Sequence, residues 1–161
     1  MTINVGDRLP NASLRLVASD GPKTVSTQDF FGGKKIVLFG LPGAFTPTCH
    51  KSHLPGFIEH RAAILSKGVD AIAMTSVNDH HVLGAWSKAS GADGKISFLA
   101  DGNGDFAKAA GLEFDGSAGG LGIRSKRYAM LVEDGVVTRL SIEDSPGKAE
   151  ASSAENLLKA L

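Results

Sequence analysis

Apolar residues fall along the chain in two rhythms, unbroken short blocks and stripes at helical spacing, and the switches between them set out the elements. Ile36-Val37-Leu38-Phe39, bounded by Gly33 and Gly40, is a block of the kind a strand shows when both of its faces are covered. Val69 to Thr75 and Ile96 to Ala100 read the same way, while Ala12-Ser13-Leu14-Arg15-Leu16 alternates as a half-buried strand does. Leu54, Phe57, Ile58, Arg61, Ile64 and Leu65 recur at helical spacing. They predict one helix from Thr46 to about Lys67, stopped by Gly68 and kinked at Pro55.

Shorter signals complete the layout. Ser19-Asp20-Gly21-Pro22 is a turn, and Val25 to Phe31 reads as a short helical segment capped by Ser26 or Thr27 and ended by Gly32-Gly33. Asn78 caps a predicted helix that places Val82, Leu83 and Trp86 on one face and closes at Gly91 to Gly94. A further helix spans Asp105 to Ala110 before Gly111, and Gly116 to Gly122 is a flexible loop. Tyr128 to Val132 then pairs with Val136 to Ile142 across Glu133-Asp134-Gly135, and Ser152 to Leu161 forms a capped amphipathic helix. The expected architecture is α/β, one domain over residues 1–161: a central mixed β-sheet with helices on both faces and an N-terminal β extension.

Composition narrows the function classes. A chain of 161 residues, 42% of them hydrophobic, can build one sizeable core. Lys plus Arg and Asp plus Glu number 17 each, so no charged face is implied and neither nucleic acid nor an anionic membrane surface is expected as a partner. The first residues show no basic segment followed by an apolar one, and no apolar run nears the ~20 residues of a membrane span. A single cysteine cannot close an intrachain disulfide, which fits a reducing compartment, so the expectation is a soluble cytoplasmic protein.

That cysteine carries the candidate chemistry. After the Ile36–Phe39 strand the chain turns through Pro42-Gly43, and Thr46-Pro47 reads as a helix start. Cys49 then falls at the third helical position, where unpaired backbone N–H groups and the positive end of the helix dipole favour thiolate over thiol. A space-filling buried cysteine is the plain alternative. Thr46, three residues earlier, can turn its hydroxyl to the same opening or simply cap the helix. Candidate cations for the thiolate are Arg124, Lys126 and Arg127, just before the Tyr128 strand. With a cysteine following the first central strand, the layout is a thioredoxin-like fold.

Five histidines, His50, His53, His60, His80 and His81, raise two other possibilities. His50-x-x-His53 lacks the H-E-x-x-H pattern and any cysteine partner, so no metal is expected. A Cys/His hydrolase would use His50 or His53 as base, but both lie on the predicted helix of Cys49 and no cysteine-protease signature is present. The glycine-rich stretches match neither a phosphate cradle nor a dinucleotide fingerprint, and no cofactor is expected.

Pro42-Gly43-Ala44-Phe45-Thr46-Pro47-Thr48-Cys49 resembles the peroxiredoxin active-site pattern P-x-x-x-[TS]-x-x-C. The run through His53-Leu54-Pro55-Gly56-Phe57, with Val77-Asn78-Asp79, Trp86, Phe98 to Asp101 and Arg127 to Met130, resembles the type II (peroxiredoxin-five) subfamily over nearly the whole chain. The resemblance implies that Cys49 is the peroxidatic cysteine, Thr46 hydrogen-bonds the peroxide, Pro42 shields the thiolate and Arg127 stabilises thiolate and peroxide. It also implies that Gly43 and Leu121 line the substrate pocket. Hydrogen peroxide and alkyl hydroperoxides are the implied substrates, and Cys49 becomes a sulfenic acid. Many relatives carry a resolving cysteine; here Ile72 and the Gly147 to Ser153 segment offer no sulfur. Re-reduction is therefore expected from glutathione with glutaredoxin, or from thioredoxin. A homodimer is implied by the subfamily alone. The competing expectation is a peroxide sensor or redox relay on the same fold. His50 stands where the family usually has Ser.

Overall fold

Nine strands and six α-helices make up the chain in the computed structural model, which describes residues 1–161. The strands are β1 (Ser13–Leu16), β2 (Lys23–Ser26), β3 (Lys35–Gly40), β4 (Ala71–Ser76), β5 (Ser97–Ala100), β6 (Glu113–Asp115), β7 (Ile123–Ser125), β8 (Tyr128–Glu133) and β9 (Val136–Ile142). The helices are α1 (Thr27–Phe31), α2 (Leu54–Glu59), α3 (Arg61–Leu65), α4 (His80–Ala89), α5 (Asp105–Ala109) and α6 (Ala154–Ala160). Seven strands form one sheet in the order β2-β1-β5-β4-β3-β8-β9; β6 and β7 pair separately. β3, β4 and β5 run parallel, while β8 lies antiparallel to β3 and β1 antiparallel to β5. This is the expected mixed sheet, with the β1/β2 hairpin as its N-terminal extension.

The apolar blocks of the central strands are explained by two cores, one on each face of the sheet. Val37 and Phe39 of β3 pack with Leu54, Phe57, Ile64, Leu83 and Trp86 from α2, α3 and α4. Ile36 and Leu38 pack on the other side with Phe31, Phe106, Tyr128 and Met130. Cys49 belongs to the first of these cores and is fully buried.

Several elements depart from the sequence expectation. The predicted helix from Thr46 to Lys67 is interrupted: the chain is helical from Pro47, widens into a π turn over Cys49–His53, continues as α2, breaks at His60 and ends with α3. Pro55 is the cause at the first irregularity, because it has no N–H to give and its ring crowds the carbonyl four residues back. The backbone takes up that misfit as a π turn closed by Leu54 N–H on the Cys49 carbonyl. Lys23–Ser26, half assigned to a helix, is a strand paired with β1, and α1 follows with Ser26 as its cap. Asp79, not Asn78, caps α4, accepting from Val82 N–H at 2.9 Å. Val82 does not join Leu83 and Trp86 in the core but is exposed. The glycine loop is flanked by the β6/β7 pair and holds a short 3-10 turn at Ser117–Gly119. No helix is long and apolar enough to cross a membrane.

Candidate active site

The site lies beyond the C-terminal end of β3, where Gly40 gives way to the Leu41–Thr46 loop. A side chain at Gly40 would run into the Tyr128 ring on β8, so only glycine fits there. Pro42 and Gly43 are buried, and Phe45 takes the left-handed region at φ 62°, which costs a non-glycine residue on the order of 1–2 kcal/mol. The loop is tied at several points. Thr46 donates from Oγ1 to the Gly43 carbonyl at 2.7 Å, and Ala44 N–H donates to Asn78 Oδ1 at 3.0 Å. Ser76 donates to the same Asn78 oxygen at 2.8 Å. The helix then starts at Pro47, and Cys49 is its third residue.

Arg127 meets Cys49 across the core. Its Nη2 lies 3.0 Å from Sγ, and its side chain is 2% exposed. The other partners of the guanidinium are neutral: Nε and Nη2 donate to the Pro146 carbonyl at 3.1 and 3.0 Å, and Nη1 donates to His53 Nδ1 at 3.0 Å. No carboxylate forms an ion pair with it; the two ion pairs in the chain are Lys23–Asp20 and Lys148–Asp144. A buried cation without a counter-charge is strongly unfavourable, and the sulfur is the one partner able to supply that charge, as a thiolate.

His53 is fixed in one protonation state by its neighbours. A guanidinium can only donate, so Nδ1 must accept, and the proton sits on Nε2, which donates to the Ser152 carbonyl at 3.0 Å. Burial, and after it the Arg127 charge, lower the imidazole pKa from 6.5 to about 3, so His53 is neutral throughout the physiological range. Ser152 in turn donates from N–H and Oγ to Glu143 Oε2, both at 2.7 Å. Glu143 N–H donates to the Arg127 carbonyl at 2.9 Å, so the carboxylate nearest Arg127 along the β8/β9 ladder is turned to Ser152.

A second arginine closes the other side. Arg124 donates from Nη1 to the Pro42 carbonyl at 3.2 Å and from Nε to the Leu121 carbonyl at 2.9 Å, joining the cysteine loop to the glycine loop. A Cβ on Gly43 would fall 2.5 Å from Arg124 Nη1, the end of a flexible side chain, so a larger residue there would push the arginine off the Pro42 carbonyl. Leu121, Ile123 and Phe45 are left exposed.

The redoxin family profile matches residues 4–158. The chain is 50% identical to peroxiredoxin-2E-2, chloroplastic, from Oryza sativa subsp. japonica, covering 99% of this chain and 73% of that protein. It is 48% identical to peroxiredoxin-2C of the same plant, covering 99% of this chain and 98% of that one. Among solved structures, reduced Prx3 from Vibrio vulnificus in complex with hydrogen peroxide superposes with a TM-score of 0.93 at 48% identity, over 99% of both chains. The chain belongs to the peroxiredoxins. It is a one-cysteine, type II-like member with the thioredoxin-like fold, and its activity is that of a thiol peroxidase.

Of the peroxiredoxin residues singled out in the sequence, Cys49 and Arg127 are in direct contact, and Thr46, Gly43 and Pro42 form the loop leading to them. Leu121 is linked to that loop through Arg124. Thr46 does not cap the helix with its side chain: its hydroxyl donates to Gly43, and it is the Thr46 carbonyl that accepts from His50 N–H at 2.8 Å. His50 and His53 share no metal site: His50 Nδ1 accepts from Trp86 Nε1 at 2.9 Å, while His53 faces Arg127. Sequence reasoning weighed His53 only as a ligand or base, and it missed the roles of Ser152, Pro146, Asn78 and Arg124. Burial alternating through Arg124, Ser125, Lys126 and Arg127 is the strand-like signal that separates the two arginines.

Proposed function

We propose that this peroxiredoxin reduces hydrogen peroxide and alkyl hydroperoxides through Cys49 and is returned to its thiol by glutathione with glutaredoxin. The observation that carries the catalytic part is the buried Arg127, whose partners other than Cys49 Sγ are all neutral. The thiolate attacks the terminal peroxide oxygen, an S–O bond forms as the O–O bond breaks, and the electron pair leaves with the distal oxygen as hydroxide or alkoxide, which takes up a proton. Four of the five Arg127 N–H groups are engaged, leaving one on Nη1 to meet the departing oxygen. Thr46 hydrogen-bonds the peroxide by turning its hydroxyl from Gly43, Pro42 excludes water, and Gly43 and Leu121 line the approach. The peroxide-bound Prx3 of Vibrio vulnificus supports hydrogen peroxide as a substrate.

The sulfenic acid has no second cysteine to condense with. An external thiol attacks it with loss of water, and a second thiol frees Cys49 from the mixed disulfide. A reducing compartment, the cytoplasm, suits this cycle. A homodimer is proposed as well, with the exposed Phe45, Leu121 and Ile123 as apolar surface available for it.

Hydrogen peroxide consumption by the purified protein, supplied in parallel with glutathione plus glutaredoxin and with thioredoxin plus its reductase, tests the reading. Sustained turnover with the glutathione system is expected. Turnover with thioredoxin alone would reassign the reductant, and one stoichiometric oxidation with neither would favour a sensor.

A further inference from the structure

Resting on the reading of Thr46 as the group that hydrogen-bonds the peroxide, we infer that Asn78 is a positioning residue: it holds the Gly43–Ala44 peptide so that the Gly43 carbonyl faces the Thr46 hydroxyl. That peptide is gripped at both ends. Its N–H, on Ala44, donates to Asn78 Oδ1 at 3.0 Å, and its carbonyl, on Gly43, accepts from Thr46 Oγ1 at 2.7 Å. A trans peptide is planar with its N–H and C=O pointing opposite ways, so fixing one end aims the other. Threonine has a choice of staggered χ1 rotamers, and the Gly43 carbonyl selects the one seen here; with that peptide turned over, nothing selects it.

The turn needs a hold from outside. Thr46 N–H also reaches the Gly43 carbonyl, at 3.4 Å, which makes Gly43 to Thr46 a tight turn with Phe45 in its third place at φ 62°. Glycine or asparagine suits a positive φ there, and phenylalanine keeps it only where the surroundings impose it. On the helix side, the Thr46 carbonyl accepts from His50 N–H at 2.8 Å, and the Phe45 and His50 ring centroids are 5.6 Å apart. On the sheet side, the hold comes from the end of β4: Leu41 N–H donates to the Thr75 carbonyl at 3.3 Å, and Asn78 takes Ala44. Asn78 is itself pinned. A backbone N–H can only donate, so the amide atom facing Ala44 is the oxygen, and the Ser76 hydroxyl donates to the same oxygen at 2.8 Å. Ser76 is buried on β4, and its carbonyl accepts from Asp101 N–H at 3.0 Å. Each member of the path from β4 to Thr46 is thus fixed by a hydrogen bond.

Asn78→Leu keeps the shape of the side chain and removes the acceptor. The rate of Cys49 oxidation by hydrogen peroxide, without reductant, is measured in Asn78→Leu, Thr46→Val and the double variant. Alkylation of Cys49 by iodoacetamide is measured beside it, since that reaction needs the thiolate but no hydrogen bond from Thr46. Asn78→Leu is expected to be oxidised roughly 10-fold more slowly than the wild type, the effect of leaving a buried donor unpaired, while alkylation is unchanged. In the Thr46→Val background the same substitution should cost nothing further, because residues that act through one group are not additive. Ser76→Ala frees Asn78 without taking its oxygen from Ala44; it should give a smaller loss, again absent from the Thr46→Val background, and it tests the path if Asn78→Leu does not fold. Losses that multiply in either double variant, a parallel fall in alkylation, or oxidation at the wild-type rate would overturn the inference. Wild-type oxidation in Thr46→Val would take Thr46 out of the reading itself, and the inference with it.

Discussion

Arg127 and His53 are the two residues whose burial most constrains the chemistry, and each is intelligible only through the other. An arginine 2% exposed keeps its charge, since a guanidinium does not give up a proton in a protein, so its environment must answer it, and here the answer is three neutral contacts and one sulfur. A histidine 1% exposed answers by losing its proton. With a folded pKa of about 3 against 6.5, His53 stays unprotonated where the unfolded chain takes up a proton. Its contribution to stability is therefore complete above pH 6.5 and is lost progressively as the pH falls toward 3. Urea unfolding of the wild type should lose up to about 1.4 kcal/mol per pH unit from this one proton in that window, a component absent from His53→Asn. The same acid slope in both proteins would contradict the assignment.

At the scale of elements, the cysteine turn and the glycine loop are separate in sequence but linked through Arg124, which bridges the Pro42 and Leu121 carbonyls. Arg124→Ala should speed amide exchange through Leu121–Ile123 and destabilise the fold by about 1–2 kcal/mol in urea. Arg124→Lys should not restore the loop, since an ammonium is a point donor and the two carbonyls need a planar fork. Unchanged exchange in the alanine variant would remove the clamp from the account. This level was also the least legible in the sequence. The apolar blocks at Ile36–Phe39, Val69–Thr75 and Ile96–Ala100 marked the buried strands because both faces are covered, and the Asp134-Gly135 turn marked the hairpin. The π turn at Cys49–His53 was not legible, because Pro55 signals a fault in a helix without saying how the backbone absorbs it. Asn78 looked like a cap, yet it ties Ala44 and Ser76 while Asp79 caps α4, and neighbouring polar residues at a helix start do not differ enough locally to decide. Arg127 was visible through family likeness, whereas its neutral partners come from segments 19 and 74 residues away in sequence.

For the whole molecule, the sheet places a cysteine beyond the C-terminal end of a central strand and delivers a cation to it from the residue just before the neighbouring antiparallel strand β8. The segment after β9 then packs over both, through Pro146 on Arg127, Gly147 on Thr48 and Ser152 on His53. One cysteine per chain makes the cycle depend on an outside thiol, so the reaction divides into an oxidation that the fold itself supports and a reduction that it does not. The oxidation can be isolated. The most direct measurement is the rate at which hydrogen peroxide, added without reductant, oxidises Cys49 in the wild type and in Arg127→Ala. The account predicts one equivalent consumed per chain and a rate roughly 100-fold or more lower in the variant, the effect of removing a preorganised charged donor from a reacting centre. Equal rates in the two proteins would contradict it.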